Sequence, residues 1–266
     1  MTSQHGNRYL RFAALGDSTT VGIGDPVPDE HGRAVNRQRG SWRGWAKLLA
    51  DALATSYDVS FCNLAISGAT TAVVREEQLA DAVAHRPDIA SLLVGVNDTL
   101  RSTWDPVRVR DDLHHVAGSL HAIGATLVTV RFHDHGEVLG LPRFLRRALT
   151  ARIDVLNAAY DELHDQYGGL RLDLAGRPEL FQRASWSIDR FHPSEAGHRA
   201  LARAFGELLR DEGYDFTLPC LEPAGGFPPS WRRDMAWMVN EGAPWIGRRA
   251  RDLGPWAARK AVTVLA

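Results

Sequence analysis

The alternation of short apolar runs with long helical segments is the feature that most constrains the fold of this chain. Five runs predict β-strands, at Tyr9–Leu15, Val59–Leu64, Ile89–Gly95, Thr126–Phe132 and Leu170–Leu174. The clearest helix lies at residues 143–167, where apolar side chains recur at steps of three and four. Strands joined by helical crossovers run parallel, with helices on both faces of the sheet. We therefore predict an α/β fold: a three-layer α/β/α sandwich with a five-stranded parallel sheet, whose ligands bind at the carboxyl ends of the strands.

Composition narrows the classes of function. The 266 residues include 31 Lys and Arg against 32 Asp and Glu, a formal net charge of −1. A chain without excess positive charge has no general attraction for polyanions, so no nucleic acid partner is expected. Cys62 and Cys220 belong to no CxxC motif, which excludes a disulfide framework. No apolar run of signal-peptide or membrane-spanning length is present, and we predict a cytoplasmic location.

Polar residues suited to acyl transfer follow three of the predicted strands. The segment LGDSTTVG places Ser18 in a turn after the first strand, NLAISGAT places Gly68 after the second, and GVND places Asn97 after the third. Late in the chain, SIDRFHPSEAGH contains Asp189 and His192 just before another helix. Because the carboxyl ends of parallel strands share one edge of a sheet, we expect these residues to meet there.

A catalytic serine needs a base for its proton and a carboxylate to hold that base. The three-residue spacing of Asp189 and His192 allows the carboxylate to reach Nδ1 of the ring while Nε2 faces Ser18. We predict Ser18, Asp189 and His192 as the catalytic residues. The competing interpretation is that Ser18 is only the N-cap of the next helix.

Three groups are candidates for an oxyanion hole: the backbone N–H of Ser18, the backbone N–H of Gly68 and the side-chain amide of Asn97. A glycine at position 68 would leave the backbone open to a substrate carbonyl, and preorganised donors of this kind stabilise the developing negative charge. Asp17 is expected to brace the nucleophile turn. Asp98 is expected to be a helix N-cap or a buried group that orients neighbouring loops.

The blocks GDSTTVG, NLAISGAT, GVND and DRFHPS, in this order, closely resemble those of the SGNH hydrolases, also called GDSL esterases and lipases. The resemblance covers roughly residues 8–214. It implies the flavodoxin-like α/β/α fold of that family and a serine esterase or lipase that needs no cofactor and works through a Ser18 acyl-enzyme. It assigns the family's Ser, Gly, Asn, His and triad Asp to Ser18, Gly68, Asn97, His192 and Asp189.

Other functions remain open on the sequence alone. The same triad would support an acyltransferase if the acyl acceptor is not water, or a thioesterase if the substrate is a thioester. A protein with this fold but without catalytic activity would be a binding module. The segment RFHDHGE holds His133, Asp134, His135 and Glu137, which are metal-ligand types. Adjacent loop residues rarely converge on one ion, so we predict no metal and expect this loop to line the pocket and help select the substrate.

Two segments differ from the rest of the chain. Residues 23–44 are polar and rich in Gly, Pro and Arg, which predicts a long loop at the wall of the pocket. We predict a catalytic domain at residues 1–215 and a Trp/Arg-rich extension at 216–266 that packs on the core or at an interface. Contact of this extension with a membrane surface is the alternative. The expected partner is a small-molecule acyl ester, and a homo-oligomer remains open.

Overall fold

One parallel sheet organises the part of the chain that the computed structural model describes, residues 8–27, 42–187 and 189–223. Its five strands have the order β2-β1-β3-β4-β5. They are β1 (Arg8–Gly16), β2 (Tyr57–Asn63), β3 (Ile89–Leu93), β4 (Thr126–Arg131) and β5 (Leu170–Asp173). Each strand lies within two residues of its predicted bounds.

Helices cover both faces of this sheet. They are α1 (Ser18–Val21), α2 (Gly44–Leu53), α3 (Thr71–Val73), α4 (Leu79–His85), α5 (Val96–Thr99), α6 (Pro106–Ala122), α7 (His135–Val138), α8 (Arg143–Tyr167) and α9 (Glu195–Asp211). Helix α2 packs against α9, while α6 packs against α4 and α8. Helices α2 and α9 thus form one layer, and α4, α6 and α8 form the other. Right-handed crossovers explain this division, because the chain crosses the sheet in one direction from β1 to β2 and in the opposite direction from β2 to β5. The predicted three-layer α/β/α sandwich is confirmed.

Helix α8 has the bounds that its apolar periodicity predicts, Arg143–Tyr167. Its buried side includes Leu149, Ile153, Leu156, Tyr160 and Leu163. The Tyr160 hydroxyl donates to the carbonyl of Val94 at 2.9 Å and accepts from the N–H of the same residue at 3.1 Å. This pair of bonds attaches the helix to the segment that leaves β3, next to the carboxyl edge of the sheet.

The strand order places a topological switch point between β1 and β3. The chain leaves β1 toward β2 on one side and leaves β3 toward β4 on the other side. The two connections therefore diverge and open a crevice at the carboxyl ends of β1 and β3. Ser18 directly follows β1, and Asn97 lies in the helix that follows β3. The fold therefore brings the predicted nucleophile and the predicted amide donor to the two sides of one crevice.

A fully buried histidine joins the nucleophile loop to both helices of one layer. Nδ1 of His198, in α9, accepts from the N–H of Trp45 at 3.2 Å, and its Nε2–H donates to the carbonyl of Ile23 at 3.0 Å. Burial lowers the pKa of His198 to about 4, although the Ile23 carbonyl and Asp25 favour its charged form. The ring is therefore neutral, with its proton on Nε2.

This pKa predicts a loss of stability in acid. Because the pKa of His198 is about 4 in the folded state and 6.5 in the unfolded state, the unfolded chain binds the proton more readily between these pH values. The contribution of His198 to the free energy of unfolding is complete above pH 6.5 and falls by about 3 kcal/mol as the pH drops to 4. In chemical denaturation, the stability difference between wild type and His198→Gln should shrink over this range. The exposed His115→Gln is the control, and an equal pH dependence in both variants would contradict the assignment.

Parts of the two unusual segments are described. Pro26 and Trp42 form an antiparallel bridge at the base of the predicted loop, and after α9 the buried side chain of Phe216 belongs to the hydrophobic core. Residues 28–41 and 224–266, which include the predicted loop centre and the Trp/Arg-rich tail, lie outside the described residues. The domain boundary at 215/216 stays a prediction. Within the described helices, none has the length and apolar character needed to cross a membrane.

Candidate active site

The nucleophile turn begins where β1 ends. Asp17 is the N-cap of α1, and its Oδ1 accepts from the N–H of Thr19 at 3.0 Å. Oδ2 of the same carboxylate accepts from the Asn97 side chain at 3.2 Å. Asp17 thus braces the turn as predicted. The interpretation of Ser18 as the helix cap is wrong, because Asp17 occupies that position and Ser18 is the first residue inside the helix.

Gln78 holds the last residue of β1 from a neighbouring helix. Its Oε1 accepts from the N–H of Gly16 and its Nε2 donates to the carbonyl of Gly16, both at 2.9 Å. The side chain is fully buried, and Gln78 is the last residue of a π-helical turn, Val74–Gln78. Both backbone polar atoms of Gly16, the residue before the nucleophile turn, are therefore hydrogen-bonded to one side chain.

Ser18, His192 and Asp189 form one chain of hydrogen bonds. The Ser18 hydroxyl lies 3.0 Å from Nε2 of His192, and Nδ1 of the same ring lies 2.7 Å from Oδ2 of Asp189. All three side chains are buried, with Ser18 at 6% exposure. With the ring proton on Nδ1, His192 donates to Asp189 and accepts from the serine. This is the protonation state that a general base for Ser18 needs.

The turn that carries His192 is built around the carboxylate of Asp189. Its Oδ1 accepts from the N–H groups of Phe191 at 2.9 Å and His192 at 3.1 Å. Arg190 adopts a left-handed conformation, with φ of 53°, at the centre of this turn. Burial alone would raise the pKa of Asp189, but hydrogen bonds from the His192 ring and the two N–H groups lower it overall. The carboxylate is therefore charged and fixed in position.

Gly24 is the point where the nucleophile loop touches the histidine loop. Its φ is 107°, and a Cβ placed there would lie 1.9 Å from the carbonyl oxygen of Pro193. A contact of 1.9 Å is far inside van der Waals distance, so the backbone at Pro193 would have to shift. Because Pro193 directly follows His192 in the chain, such a shift would also move the His192 ring. The absence of a side chain at position 24 thus permits the spacing between Ser18 and the ring.

Replacing Gly24 by alanine should therefore reduce catalysis. The added methyl would push the Pro193 segment away from Ser18, and a displacement of about 1 Å at a reacting group costs on the order of 100-fold in rate. The control is Gly124→Ala, where φ is 86° but no atom in the described part of the chain lies within 4 Å of the new Cβ. Both variants carry backbone strain, so equal kcat/KM values at equal folded fractions would contradict the proposed contact effect.

The predicted oxyanion donors are linked to one another and to the nucleophile turn. The Asn97 amide donates to Oδ2 of Asp17 at 3.2 Å and to the carbonyl of Ala69 at 3.0 Å. An oxyanion would therefore share this amide with one of the two oxygens. Gly68 has φ of 79°, and no atom of the described residues lies within 4 Å of its Cβ position. The positive φ is a further reason for a glycine here, beside the predicted access for the substrate carbonyl, which stays a prediction.

Asp98 orients the loop that carries Gly68. The carboxylate accepts from the N–H of Thr71 at 3.2 Å and from the Thr71 hydroxyl at 3.1 Å. Burial raises the pKa of Asp98 to about 6, against the effect of these hydrogen bonds. Its predicted role as a buried orienting group is confirmed, while the alternative of an N-cap is wrong because Gly95 precedes the helix.

A small cavity opens beside Ser18 on the side of β4 and β5. It has a volume of about 50 Å³, and its lining is mostly apolar. The lining includes Ser18, Phe132, His133, His135, Leu174, Leu180, Trp186 and Leu201. The prediction that the loop after β4 lines the pocket is confirmed by its two histidines.

The side chains of that loop do not converge on one point. His133 and His135 stack on each other at 4.1 Å, while Asp134 and Glu137 both pair with Arg146. Among the described residues, no group of three or more His, Cys, Asp or Glu side chains is arranged to hold a metal ion.

Several residues that position the site were missed in the sequence. Gln78 and His198 each make two long-range hydrogen bonds to backbone groups. Arg43 bridges Asp25 and Glu195. For Gln78 and His198 the only signal was a polar residue at an otherwise buried helical position, which does not reveal the backbone group that the side chain reaches. Arg43 precedes α2 and gave no such signal.

A serine, a histidine and a carboxylate bonded in series at the carboxyl edge of a flavodoxin-like sheet define a serine hydrolase class. The family model described as GDSL-like lipase/acylhydrolase matches residues 14–200, and the chain belongs to this family. An acetylxylan esterase of Geobacillus stearothermophilus is 25% identical over 210 residues, covering 73% of this chain and 94% of that protein. The predicted SGNH resemblance is thus confirmed.

Solved structures share the fold. A putative GDSL-like lipase from Parabacteroides merdae has a TM-score of 0.61 at 18% identity, covering 76% of this chain and 96% of that one. The psychrotrophic esterase EstA from Pseudoalteromonas sp., in a structure inhibited by monoethylphosphonate, has a TM-score of 0.57 at 15% identity, covering 77% and 99%. With the family match, the chain is an ester-hydrolysing serine hydrolase.

Proposed function

We propose that this protein hydrolyses esters of short-chain acids through a covalent acyl-enzyme on Ser18. The observation that carries the proposal is the continuous hydrogen-bond chain from Ser18 through His192 to Asp189, with distances of 3.0 and 2.7 Å. A hydroxyl in such a chain loses its proton to the imidazole as it attacks a carbonyl carbon.

The reaction has two halves that use the same groups. In the first, the Ser18 oxygen bonds to the ester carbonyl carbon, Nε2 of His192 takes the serine proton, and the same proton then passes to the departing alcohol. In the second, His192 removes a proton from water as the water oxygen attacks the acyl carbon, the bond between that carbon and the Ser18 oxygen breaks to release the acid, and His192 returns the proton to Ser18. Asp189 keeps the second ring proton on Nδ1 and stabilises the ring while it is charged.

The oxyanion that forms in each half would be bound by the N–H of Ser18, the N–H of Gly68 and the amide of Asn97. The ties among Asn97, Ala69 and Asp17 support this assignment, since they fix the amide before substrate arrives. Preorganised donors do not have to reorient as charge develops, and loss of one typically costs about 100- to 1000-fold in rate.

The size of the cavity beside Ser18 supports a short acyl or alcohol group. Its volume of about 50 Å³ and its mostly apolar lining favour a group of a few heavy atoms, such as acetyl. The 25% identical relative is an acetylxylan esterase, which agrees with an acetyl ester as substrate.

Labelling with a fluorophosphonate tests the nucleophile. The wild-type chain should gain the mass of one phosphonyl group, and digestion should locate it on the peptide that contains Ser18. A folded protein that is never labelled would instead support the non-catalytic binding module.

A substrate panel tests the rest of the proposal. Along a series of p-nitrophenyl esters, kcat/KM should be highest for acetate and fall as the acyl chain grows. Adding an alcohol or thiol acceptor should leave free acid as the main product. Dominant transfer to the acceptor would indicate an acyltransferase, and preference for acyl thioesters over matched oxygen esters would indicate a thioesterase.

A further inference from the structure

His133 is an enclosed polar side chain in the wall of the cavity beside Ser18. It follows β4 and is 3% exposed. Its ring stacks on that of His135, with ring centroids 4.1 Å apart. It makes edge-to-face contacts with Phe181 and Trp186, with centroids 5.2 and 5.4 Å away. Three rings therefore pack around the imidazole, and two of them, His135 and Trp186, also line the cavity.

Neither ring nitrogen of His133 has a hydrogen-bond partner in the described part of the chain. Burial and the neighbouring His135 lower the pKa of His133 to about 2, so the ring is neutral and has one N–H donor and one acceptor. Buried polar groups in folded proteins nearly always have a partner. Among the described residues that line this cavity, only His133 retains buried polar side-chain atoms without one.

We propose that His133 is a specificity residue that binds a hydroxyl group of the substrate, so that the enzyme prefers esters with a hydroxyl close to the reacting ester bond. The inference rests on the proposed ester hydrolysis at Ser18. A hydroxyl both donates and accepts, as a neutral imidazole does, whereas a charged group would lose its hydration among aromatic rings. The small cavity is lined by both Ser18 and His133, which limits the hydroxyl to a position a few atoms from the carbonyl.

The hydroxyl belongs to either the acyl or the alcohol part of the ester, and two matched pairs of substrates distinguish these sources. For the acyl part, glycolyl and propionyl esters of one phenol differ by a hydroxyl in place of a methyl. For the alcohol part, 2-hydroxyethyl acetate and propyl acetate differ in the same way. Each kcat/KM is divided by the rate constant for hydroxide-catalysed hydrolysis of the same ester, which corrects the comparison for differences in the chemical reactivity of the esters.

We expect wild type to favour the hydroxyl member of one pair by about tenfold or more, because the analogue leaves unpaired the ring nitrogen that the hydroxyl would bond. His133→Phe, which keeps a flat ring, should reduce this preference to within about twofold. His133→Gln, which keeps a donor and an acceptor, should retain more of the preference than His133→Phe. The proposal is overturned if wild type shows no preference in either pair, or if His133→Phe keeps it in full.

A second measurement does not depend on a substitution at His133. In Ser18→Ala labelled with ¹⁵N-histidine, the preferred hydroxyl ester should shift the ring nitrogen resonances of His133 more than its methyl partner does. Equal shifts would contradict the proposal. If wild type hydrolyses no ester, the proposed function fails; if it hydrolyses esters through Ser18 without hydroxyl preference, only the present inference fails.

Discussion

Replacing Ser18 by alanine is expected to lower kcat for ester hydrolysis by about 10⁴- to 10⁶-fold. The variant has no oxygen within reach of Nε2 of His192, so water must attack the ester without a covalent intermediate. Any remaining rate would come from substrate binding and the oxyanion donors. The measurement is kcat on p-nitrophenyl acetate, with phosphonate labelling of the same sample.

The fold should survive this change. Among the described residues, the hydroxyl hydrogen-bonds only the His192 ring, and its removal alters no backbone contact of the turn. The control is Ser119→Ala on α6, where the lost hydroxyl bonds the carbonyl of His115 at the surface. If Ser18→Ala retained more than a few per cent of wild-type kcat, the acyl-enzyme mechanism would be wrong.

The second large effect is expected from Asp189→Asn, with kcat reduced by about 10³- to 10⁴-fold. Oδ1 of Asp189 accepts from two backbone N–H groups, and Oδ2 accepts from Nδ1 of His192. Asparagine has one oxygen, which would stay with the backbone groups. Its NH₂ would then face Nδ1, and the ring proton would move to Nε2. His192 in that tautomer cannot take a proton from Ser18.

Asparagine has nearly the same shape as aspartate, so Asp189→Asn tests the position of the proton on the His192 ring with little change in structure. Asp173→Asn is the control, because the Asp173 carboxylate also accepts a backbone N–H, that of Ala175, at an exposed turn. Thermal unfolding and phosphonate labelling rates of both variants are compared with kcat. A folded Asp189→Asn protein with kcat within about tenfold of wild type would show that the carboxylate does not set the tautomer.

Local pattern and chain topology made most of the fold predictable. Sequence pattern located α8 and each strand to within two residues, because all of these elements except the half-buried β2 bury apolar side chains. The meeting of Ser18 and His192, separated by 174 positions in sequence, followed from the rule that parallel strands share a carboxyl edge. The catalytic roles of these residues stay predictions until the substitutions are measured.

Buried polar contacts were not predictable. The sequence shows that Gln78 interrupts an apolar helical face, but its bonds to Gly16 depend on how that helix docks on the sheet. The orientation of His133 depends on the packing of His135, Phe181 and Trp186, which come from different segments. The cytoplasmic location and the packing of the C-terminal extension stay predictions.

The Gln78 contact also links the catalytic serine to a part of the chain outside the sheet. The end of β1 is held by a π-helical turn in the crossover between β2 and β3. A displacement of that crossover would therefore be passed through Gly16 to the turn that carries Ser18. Substitutions in the crossover can thus change the position of the nucleophile while every residue that touches the substrate stays the same.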